Sequence, residues 1–515
     1  MKIDKLLQDL KQRENKAKLG GGKTRIDKEH AKGKLTARER IDLLFDRDTF
    51  FEVGLLATHR CQNFGLQDKV IPGDGVITGF GLVDGRQVFV FAQDATVMGG
   101  SLGAAHGEKI CSIMDMAIRS RSPIVGINDS AGARVQEGAE SLAAYGKIFR
   151  KNVACWGGVP QISVIMGNCA GGAVYSPAMT DFTFMVENTS YMFITGPKVI
   201  KTVTGADINM LDLGGAKVHS EISGNCDFAV PNDTDCIKQV RRLLSFIPSN
   251  PDLAAPTVPP GDDLVPDPEI FHVMPENRKA AFDMHNIIDR LVDGGDLMEV
   301  KARYAKNIIV GLARVDGSTV GVIANQPYFL AGTLDSNASD KGARFIRFCD
   351  AFNIPLISLV DVPGYMPGIQ HEYSGIIRHG AKMIYAYAEA TVPKVTIIIR
   401  KAYGGAFQAM CSKELGADQV WAWPTAEVAV MGAEGAAEIV YAREIMNSNN
   451  PEEIRQQKIE EYREKFSNPY YATERLNVDA VIDPGWSRHF LKMTLKTLAH
   501  KKEAGPLRKH GNIPL

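Results

Sequence analysis

Short apolar runs alternate with segments of helical periodicity through most of the chain. Ile110, Ile113, Met114, Ala117 and Ile118 recur at helical spacing. Around that helix the pattern predicts strands at 88–93, 124–128 and 161–166 and a second helix at 139–151. The second half of the chain repeats this order. Because strands alternate with helices, the sequence predicts a mixed α/β layered fold.

An internal repeat makes the two halves copies of one domain. Asp129 and Asp361, which each end an apolar run, lie 232 positions apart. After a slip of one residue, Gly171-Gly172 matches Gly404-Gly405, 233 positions later. Chance matches would not keep one register over about ninety residues, and the period is far longer than a solenoid unit. The sequence therefore predicts a domain duplication.

A proline-rich, partly acidic stretch separates the two copies. Residues 248–268 contain seven prolines and little apolar periodicity, as is typical of a linker. The predicted organisation is a charged helical lead-in at 1–45, a first domain at 46–250, a linker at 251–268 and a second domain at 269–515.

Composition narrows the class of protein. The 515 residues carry 59 Lys and Arg against 60 Asp and Glu, a net charge of −1, which argues against nucleic acid as a partner. No apolar run approaches the ~20 residues of a membrane span, and the charged N-terminus does not resemble a secretory signal. We expect a cytoplasmic protein whose eight cysteines are buried free thiols.

The two glycine pairs are the main candidates for chemistry. Each follows an apolar strand and precedes a small residue, Ala173 or Ala406, that begins a helix. Such a turn brings backbone N–H groups close to a ligand, and the helix N-terminus adds positive potential. This arrangement suits the stabilisation of an anionic oxygen in a transition state. Close packing of helix on strand is the alternative, but two pairs at equivalent positions favour function.

A polar loop at 130–134 is a second candidate, comprising Ser130, Ala131, Gly132 and Ala133 before Arg134. It either lines the acyl site or is a turn closed by the side chains of Asp129 and Ser130. The sequence contains no phosphate loop, nucleophile elbow, His-Glu-x-x-His zinc motif or dinucleotide fingerprint. It therefore offers turns that stabilise anions, without an obvious metal, nucleophile or base.

Long motifs connect the chain with a known family. They are Asn-Asp-Ser-Ala-Gly-Ala-Arg-Val-Gln-Glu-Gly at 128–138, Cys-Ala-Gly-Gly-Ala-Val-Tyr-Ser-Pro-Ala at 169–178, Arg-Lys-Ala-Tyr-Gly-Gly-Ala at 400–406, Ala-Trp-Pro-Thr-Ala-Glu at 422–427 and Lys-His-Gly-Asn at 509–512. With these motifs the chain resembles the carboxyltransferase subunits of biotin-dependent acyl-CoA carboxylases. That family includes propionyl-CoA carboxylase beta chains, methylmalonyl-CoA decarboxylase alpha chains and the transcarboxylase large subunit.

The resemblance implies the architecture and the partners. It implies two tandem crotonase-like domains in a homo-hexamer, a trimer of dimers whose active sites lie between subunits. Biotin would arrive as carboxybiotin on a separate carrier protein or domain, with either a biotin carboxylase subunit or a membrane decarboxylase subunit completing the complex. Coenzyme A would enter as part of the substrate, and no metal is expected on this chain.

The resemblance also implies roles for the glycine pairs. Gly171 and Gly172 would hold the ureido oxygen of biotin, while Gly405 and Ala406 would hold the enolate oxygen of the acyl-CoA thioester. The substrate-binding residues implied alongside them are Ser130, Ala131, Gly132, Ala133, Ala173, Tyr403, Gly404 and Gln408.

The acyl group and the direction of reaction stay open. Gln408 stands where propionyl-CoA carboxylases often have Asp, so propionyl-CoA/methylmalonyl-CoA carboxylation competes with a sodium-linked methylmalonyl-CoA decarboxylase or a transcarboxylase. A crotonase-type hydratase or isomerase is a distant alternative, with Glu137 as its nearby carboxylate. A catalytically silent scaffold is a third possibility, disfavoured by the intact glycine pairs.

Overall fold

The structure, a computed structural model, describes residues 3–260, 265–503 and 509–514. Residues 261–264 of the predicted linker therefore lie outside the described part. The chain forms two compact units, Met1–Ala254 and Ala255–Leu515, which we call unit 1 and unit 2 and describe separately. No helix in the described part of the chain is long and apolar enough to cross a membrane.

Unit 1 is built on one mixed sheet. Its strands are β1 (Phe51–Val53), β2 (Val76–Val83), β3 (Arg86–Gln93), β4 (Ile124–Ser130), β5 (Gln161–Ala170), β6 (Phe182–Val186), β7 (Tyr191–Phe193) and β8 (Phe228–Val230). Their order is β1-β2-β3-β4-β5-β6-β8, and β7 pairs with the end of β5. The β2–β3 hairpin closes at Asp84-Gly85, where both residues have positive φ (49° and 75°), as a two-residue hairpin turn requires.

Helices cover this sheet and form the lead-in. They are α1 (Ile3–Lys18), α2 (Lys23–His30), α3 (Ala37–Leu44), α4 (Ala104–Ser120), α5 (Ala139–Cys155), α6 (Tyr175–Met179), α7 (Pro197–Thr204), α8 (Met210–Gly214), α9 (Ala216–Glu221) and α10 (Asp233–Phe246). Of the apolar residues predicted to share a face of α4, Ile110, Ile113, Met114 and Ala117 are buried in the unit 1 core, and Ile118 is partly buried against it.

Unit 2 repeats the design. Its strands are β9 (Met298–Val300), β10 (Ile308–Val315), β11 (Ser318–Asn325), β12 (Leu356–Val362), β13 (Lys394–Tyr403), β14 (Gln419–Ala422), β15 (Glu427–Ala429) and β16 (Ala480–Val481). They lie in the order β9-β10-β11-β12-β13-β14-β16, with β15 paired to the end of β13. The helices are α11 (His285–Leu291), α12 (Ser336–Ala351), α13 (Ile369–Tyr373), α14 (Ile376–Glu389), α15 (Gly404–Ala409), α16 (Ala433–Val440), α17 (Ala442–Met446), α18 (Pro451–Phe466), α19 (Pro469–Glu474) and α20 (Ser487–Thr497).

The structure bears out the predicted duplication. Strands β2, β3 and β4 coincide with β10, β11 and β12 at the offset of 232, and β5 coincides with β13 at 233. The predicted strand at 161–166 was too short, because β5 continues to Ala170 by changing its partner from β6 to β7. All eight cysteines are free and buried, as predicted.

Candidate active sites

The first glycine pair lies beyond an irregularity in β5. Between Asn128 and Ser130, β4 advances two residues while β5 advances four, from Ile165 to Cys169. We call residues 166–168 the first bulge. Because a bulge bends its strand, the end of β5 leaves β6 and pairs with β7 instead.

The glycine pair itself forms a tight turn. Gly171 has a φ of 64°, which favours glycine, and it opens a 3-10 turn, Gly171–Val174, that leads into α6. Because the hydrogen bonds of a 3-10 turn begin at its third residue, the N–H of Gly172 has no acceptor within the turn. Ala173 is buried. The N–H of Gly172 is therefore available to an acceptor outside the turn, and its role as an oxyanion donor stays a prediction.

The loop at 130–134 lies against this turn. A Cβ added to Gly132, whose φ is 96°, would lie 3.0 Å from the carbonyl oxygen of Ala170. Ser130 is buried and its hydroxyl accepts the N–H of Gly132 at 3.1 Å. Ala131 and Ala133 are exposed, and the N–H of Ala131 donates to the carbonyl of Gly99 at 2.9 Å. Ser130 and Gly132 therefore lie beside the strand end that precedes the first glycine pair, while Ala131 and Ala133 lie against Gly99 and Leu102.

One interpretation of the sequence was that the side chains of Asp129 and Ser130 close this loop as a turn. In the structure the carboxylate of Asp129 does not close the loop. Its Oδ1 accepts the N–H of Asn168 at 3.3 Å, and its Oδ2 lies 2.5 Å from Lys34 Nζ and 3.2 Å from Arg40 Nη1. A Cβ on Gly167 would lie 1.9 Å from Oδ1. The buried carboxylate therefore fills the space opposite the first bulge.

Arg40 links Asp129 to a second buried carboxylate. Its Nε donates to Asp233 Oδ2 at 2.8 Å, and its Nη2 donates to the carbonyl of Met166 at 2.9 Å. Burial by itself would lower the pKa of the Arg40 guanidinium, but Asp129 and Asp233 raise it overall, so the group remains a cation.

Three further side chains of unit 1 bear on the chemistry of the first pair. The Tyr145 ring lies 3.5 Å from the position that a Cβ on Gly172 would take. Glu137 is fully engaged: its Oε1 accepts from Arg134 at 2.8 Å and its Oε2 accepts the N–H of Ala104 at 2.7 Å. Burial raises the pKa of Cys169 to about 12, so this thiol is no nucleophile at neutral pH. Neither Glu137 nor Cys169 is therefore available as a base beside the first pair.

The second glycine pair follows an identical irregularity. Between Val360 and Val362, β12 advances two residues while β13 advances from Ile398 to Ala402. We call residues 399–401 the second bulge. The end of β13 then pairs with β15 rather than β14.

Asp361 lies opposite the second bulge. Its Oδ1 accepts the N–H of Lys401 at 3.0 Å, and its Oδ2 accepts from Arg400 Nη2 at 2.7 Å. Arg400 is itself a residue of the bulge, and its Nη1 donates to the carbonyls of Arg278 and Ala280. Its guanidinium also lies over the Phe282 ring, 5.0 Å from the centroid.

The second turn is more open than the first. Gly404 has a φ of 58° and begins α15, so the N–H groups of Gly404, Gly405 and Ala406 have no acceptor within the helix. A Cβ on Gly405 would meet nothing within 4 Å, whereas one on Gly404 would lie 3.0 Å from the carbonyl of Val430. Gly405 therefore borders open space, as a residue that faces a ligand must.

Two polar pairs surround the second turn. The Tyr403 hydroxyl donates to Glu427, and both side chains are buried. The Ser412 hydroxyl donates to Gln408 Oε1, which orients the Gln408 amide so that its NH₂ group is the end left for other partners. The sequence placed Tyr403 and Gln408 near this site but gave no reason to connect them with Glu427 and Ser412, which follow on a later strand and turn.

The described residues contain no cluster of three or more His, Cys, Asp or Glu side chains that could hold a metal ion. The geometry in both units therefore consists of backbone donors on glycine turns.

Comparison with known proteins assigns the family. The carboxyl transferase domain family matches residues 28–513. The chain belongs to the carboxyl transferase family. Within it, methylmalonyl-CoA decarboxylase subunit alpha from Propionigenium modestum is 54% identical over 99% of this chain and 99% of its own. The carboxyltransferase subunit of propionyl-CoA carboxylase from Haloferax mediterranei is 53% identical over 100% of both chains.

A solved carboxyl transferase structure agrees in fold. The crystal structure of transcarboxylase 12S, described as a hexamer with methylmalonyl-CoA and methylmalonic acid bound, has a TM-score of 0.98 and 49% identity, covering 100% of this chain and 99% of that one. The predicted family and the prediction of two crotonase-like domains are therefore confirmed.

Proposed function

We propose that this chain transfers a carboxyl group between carboxybiotin, carried by a separate protein or domain, and the α-carbon of a short acyl-CoA. Propionyl-CoA and methylmalonyl-CoA are the favoured pair, because relatives at 53–54% identity are named for them. The observation that carries the proposal is the occurrence of two equivalent glycine turns, each with backbone N–H groups unused within the turn, one in each unit. A reaction with two developing oxyanions needs two such sites.

Each turn receives one of the two anions. In unit 1, Gly171 and Gly172 would donate to the ureido oxygen of biotin, with Ala173 and the loop Ser130, Ala131, Gly132 and Ala133 forming the surrounding wall. Carboxybiotin would supply the CO₂ and the base that removes the α-proton. The residues fit this group, because the donor of Gly172 lies on a turn whose Cβ position meets only the Tyr145 ring at ordinary contact distance.

In unit 2, Gly405 and Ala406 would donate to the thioester oxygen as negative charge develops on it. The open space beside Gly405 accommodates a planar thioester. Gly404 and Tyr403 would fix the turn, and the Gln408 NH₂ group, oriented by Ser412, would face the acyl end of the substrate. An amide that donates here would select an acyl group that can accept a hydrogen bond.

The partners follow from the same reaction. We propose a homo-hexamer that works with a biotin carrier and with either a biotin carboxylase subunit or a membrane decarboxylase subunit, in the cytoplasm. Carboxylation, decarboxylation and transcarboxylation share this half-reaction, so the partner decides the direction. Hydration of enoyl-CoA is disfavoured, because both oxygens of Glu137 are already hydrogen-bonded.

The test is transfer of the carboxyl group from methylmalonyl-CoA to free biotin, followed as formation of propionyl-CoA. Gly172→Val and Gly405→Val are the informative variants, because neither position has positive φ or a contact closer than 3.5 Å. Valine keeps the backbone N–H, but its side chain would occupy the space beside the turn and keep the substrate oxygen away from the donors. We expect each variant to lower turnover by about 10²–10³-fold, as much as the loss of an oxyanion donor costs, and to leave the sedimentation behaviour of the assembly unchanged.

The controls separate the alternatives. Omission of biotin should abolish propionyl-CoA formation, and crotonyl-CoA should not be hydrated. Turnover at the wild-type rate in either valine variant, or conversion that does not depend on biotin, would refute the proposal.

A further inference from the structure

The two bulges share one feature that the oxyanion chemistry does not use directly. Each bulge encloses a buried aspartate carboxylate, Asp129 in unit 1 and Asp361 in unit 2, at 3% and 1% exposure. In both, Oδ1 accepts a backbone N–H of the bulge, from Asn168 or Lys401. The main chain of each aspartate is held alike, because its N–H donates to the side-chain oxygen of Gln93 or Asn325.

The bulge decides where the glycine turn lies. The strand residues that follow it pair with a short separate strand, β7 or β15, and the glycine pair comes immediately after them. Asparagine in place of either aspartate would offer one oxygen instead of two, so it could not accept the bulge N–H and also face the cation with an oxygen. The cation would lose one negative partner, although in unit 1 Arg40 keeps Asp233 and Lys34 keeps Glu29. The strand end would then be free to shift, and the N–H groups of the turn would shift with it.

We propose that Asp129 and Asp361 are positioning residues, each of which holds a bulge so that the following glycine turn presents its N–H groups in the productive geometry. Asp129 acts on the turn at Gly172 and Asp361 acts on the turn at Gly405. The binding of biotin and the thioester by these turns rests on the proposed function. The positioning of the turns by the carboxylates does not depend on it.

The chain offers a matched control for unit 1. Asp233 is as buried as Asp129 (2% exposed) and shares its partner, since Arg40 Nε donates to its Oδ2 at 2.8 Å. Its other bond is to the N–H of Leu35, so it makes no recorded contact with the first bulge. Asp233→Asn therefore removes a buried charge from the same network without touching the strand that precedes Gly172.

The first readout is hydrogen exchange, measured by mass spectrometry on the full chain without substrate. Asp129→Asn should raise amide exchange at least fivefold in peptides covering 166–175 and leave those covering 399–410 unchanged. Asp361→Asn should give the reverse. Asp233→Asn should leave both regions as in wild type.

The second readout is the effect of each variant on the two KM values, for biotin and for methylmalonyl-CoA, in the reaction with free biotin. Asp129→Asn should raise KM for biotin about tenfold while KM for methylmalonyl-CoA stays within twofold. Asp361→Asn should lower turnover and raise KM for methylmalonyl-CoA, with KM for biotin within twofold. A general loss of folded protein would lower the active fraction without dividing the two KM values.

Two outcomes would overturn the inference: wild-type exchange at 166–175 in Asp129→Asn, or the same KM division in Asp233→Asn. If Asp129→Asn fails to fold, Lys34→Met replaces it, because Arg40 still neutralises Asp129 there; we expect about threefold faster exchange at 166–175, and no change would count against the idea. If wild type does not use biotin at all, the proposed function fails while the exchange contrast still tests the positioning.

Discussion

Units 1 and 2 neutralise the same buried aspartate from different places in the sequence. In unit 2 the cation is Arg400, a residue of the bulge itself. In unit 1 the equivalent position is Gly167, and the cations are Arg40 of α3 and Lys34 just before it. Both units therefore place a cation beside the aspartate, but the cation belongs to a different element in each unit.

The two units have the cation and the uncharged residue at opposite positions, one on a helix and one on a strand. Asp46 accepts the two N–H groups of the hairpin turn in unit 1, and Asp293 accepts the two N–H groups of the equivalent turn in unit 2. This shared contact aligns the two aspartates at an offset of 247. At that offset Arg40 corresponds to Ile287, which is fully buried in the unit 2 core. Unit 1 thus has a cation on the helix and glycine on the strand, and unit 2 has an apolar residue on the helix and a cation on the strand.

The two glycine turns therefore differ in where the neutralising charge comes from: a segment distant in sequence in unit 1, and the strand that carries the turn in unit 2. Arg40 joins the first bulge to α3 and, through Asp233, to α10. The charged lead-in is thus part of the support of the first glycine turn. In unit 2 the cation lies on the strand that carries the second turn, and the carbonyls of Arg278 and Ala280 hold its guanidinium in place.

The largest effect should come from removing the cation of unit 2. Among the described residues, Asp361 forms its ion pair with Arg400 alone. Arg400→Met would leave a buried carboxylate without a counter-ion, so we expect a loss of about 3–5 kcal/mol of unfolding free energy, measured by thermal denaturation.

The control for that variant is a surface pair of the same unit. Arg290 and Asp267 lie 2.7 Å apart but are 39% and 33% exposed, so Arg290→Met should cost about 0–1 kcal/mol. Equal losses of unfolding free energy in the two variants would mean that the buried ion pair contributes no more to stability than the surface pair.

An intermediate effect is expected from the reciprocal position in unit 1. A methyl group on Gly167 would lie 1.9 Å from the Asp129 carboxylate, which Lys34 and Arg40 hold in place. Gly167→Ala should therefore cost about 1–3 kcal/mol, as overpacking does, although unit 2 has arginine at the same position. Gly146→Ala on α5 is the control, since its Cβ would meet nothing within 4 Å and alanine favours a helix. A stable Gly167→Ala protein would show that the strand can move away at little cost.

Much of this design could be predicted from sequence, for a definite reason. The offset of 232 aligned Asp129 with Asp361, and the one-residue slip aligned the glycine pairs, so the strands and both turns were correctly placed. The slip falls between the aspartate and the next strand, where unit 1 has the single helix α5 and unit 2 has α13 and α14.

The supporting contacts could not be predicted in the same way. Arg40 precedes Asp129 by 89 positions, and no periodicity connects a helix residue with a bulge that far away. Unit 1 has Gly167 where unit 2 has a cation, and its own cation is Arg40 on a helix. An alignment of the two halves therefore pairs no cation of unit 1 with the cation of unit 2. The roles of the glycine pairs in catalysis stay predictions that the variants above test.

The smallest effect concerns pH and again differs between the units. In unit 2, hydrogen bonds from His285 to Glu299 and Asp283, at 2.9 and 2.8 Å, raise the pKa of His285 to about 9 against the opposing effect of burial. In unit 1, burial lowers the pKa of His106 to about 3. The first histidine is a cation and the second is neutral at pH 7.

The signs of the two contributions are opposite. His285 binds its proton more tightly when folded, so its stabilisation is complete below pH 6.5 and is lost as pH rises through about 9. His106 costs stability as pH falls from 6.5 towards 3. Above pH 6.5 the profile therefore includes a loss of stability from His285. Lys109 and Lys341, whose pKa values burial lowers to about 8, act in the opposite sense above that pH. Buried thiols such as Cys169, whose pKa burial raises, add a further loss above the ordinary pKa of a thiol.

His285→Gln isolates the histidine from those lysines. The His285 side chain is 38% exposed, and solvent screening reduces its contribution to about 1 kcal/mol. We expect the wild-type Tm to fall by about 2–4 °C more than that of His285→Gln between pH 6.5 and 9, because both proteins retain the lysines. Parallel Tm profiles would mean that Glu299 and Asp283 do not hold the His285 proton, and that the two units respond alike to alkaline pH.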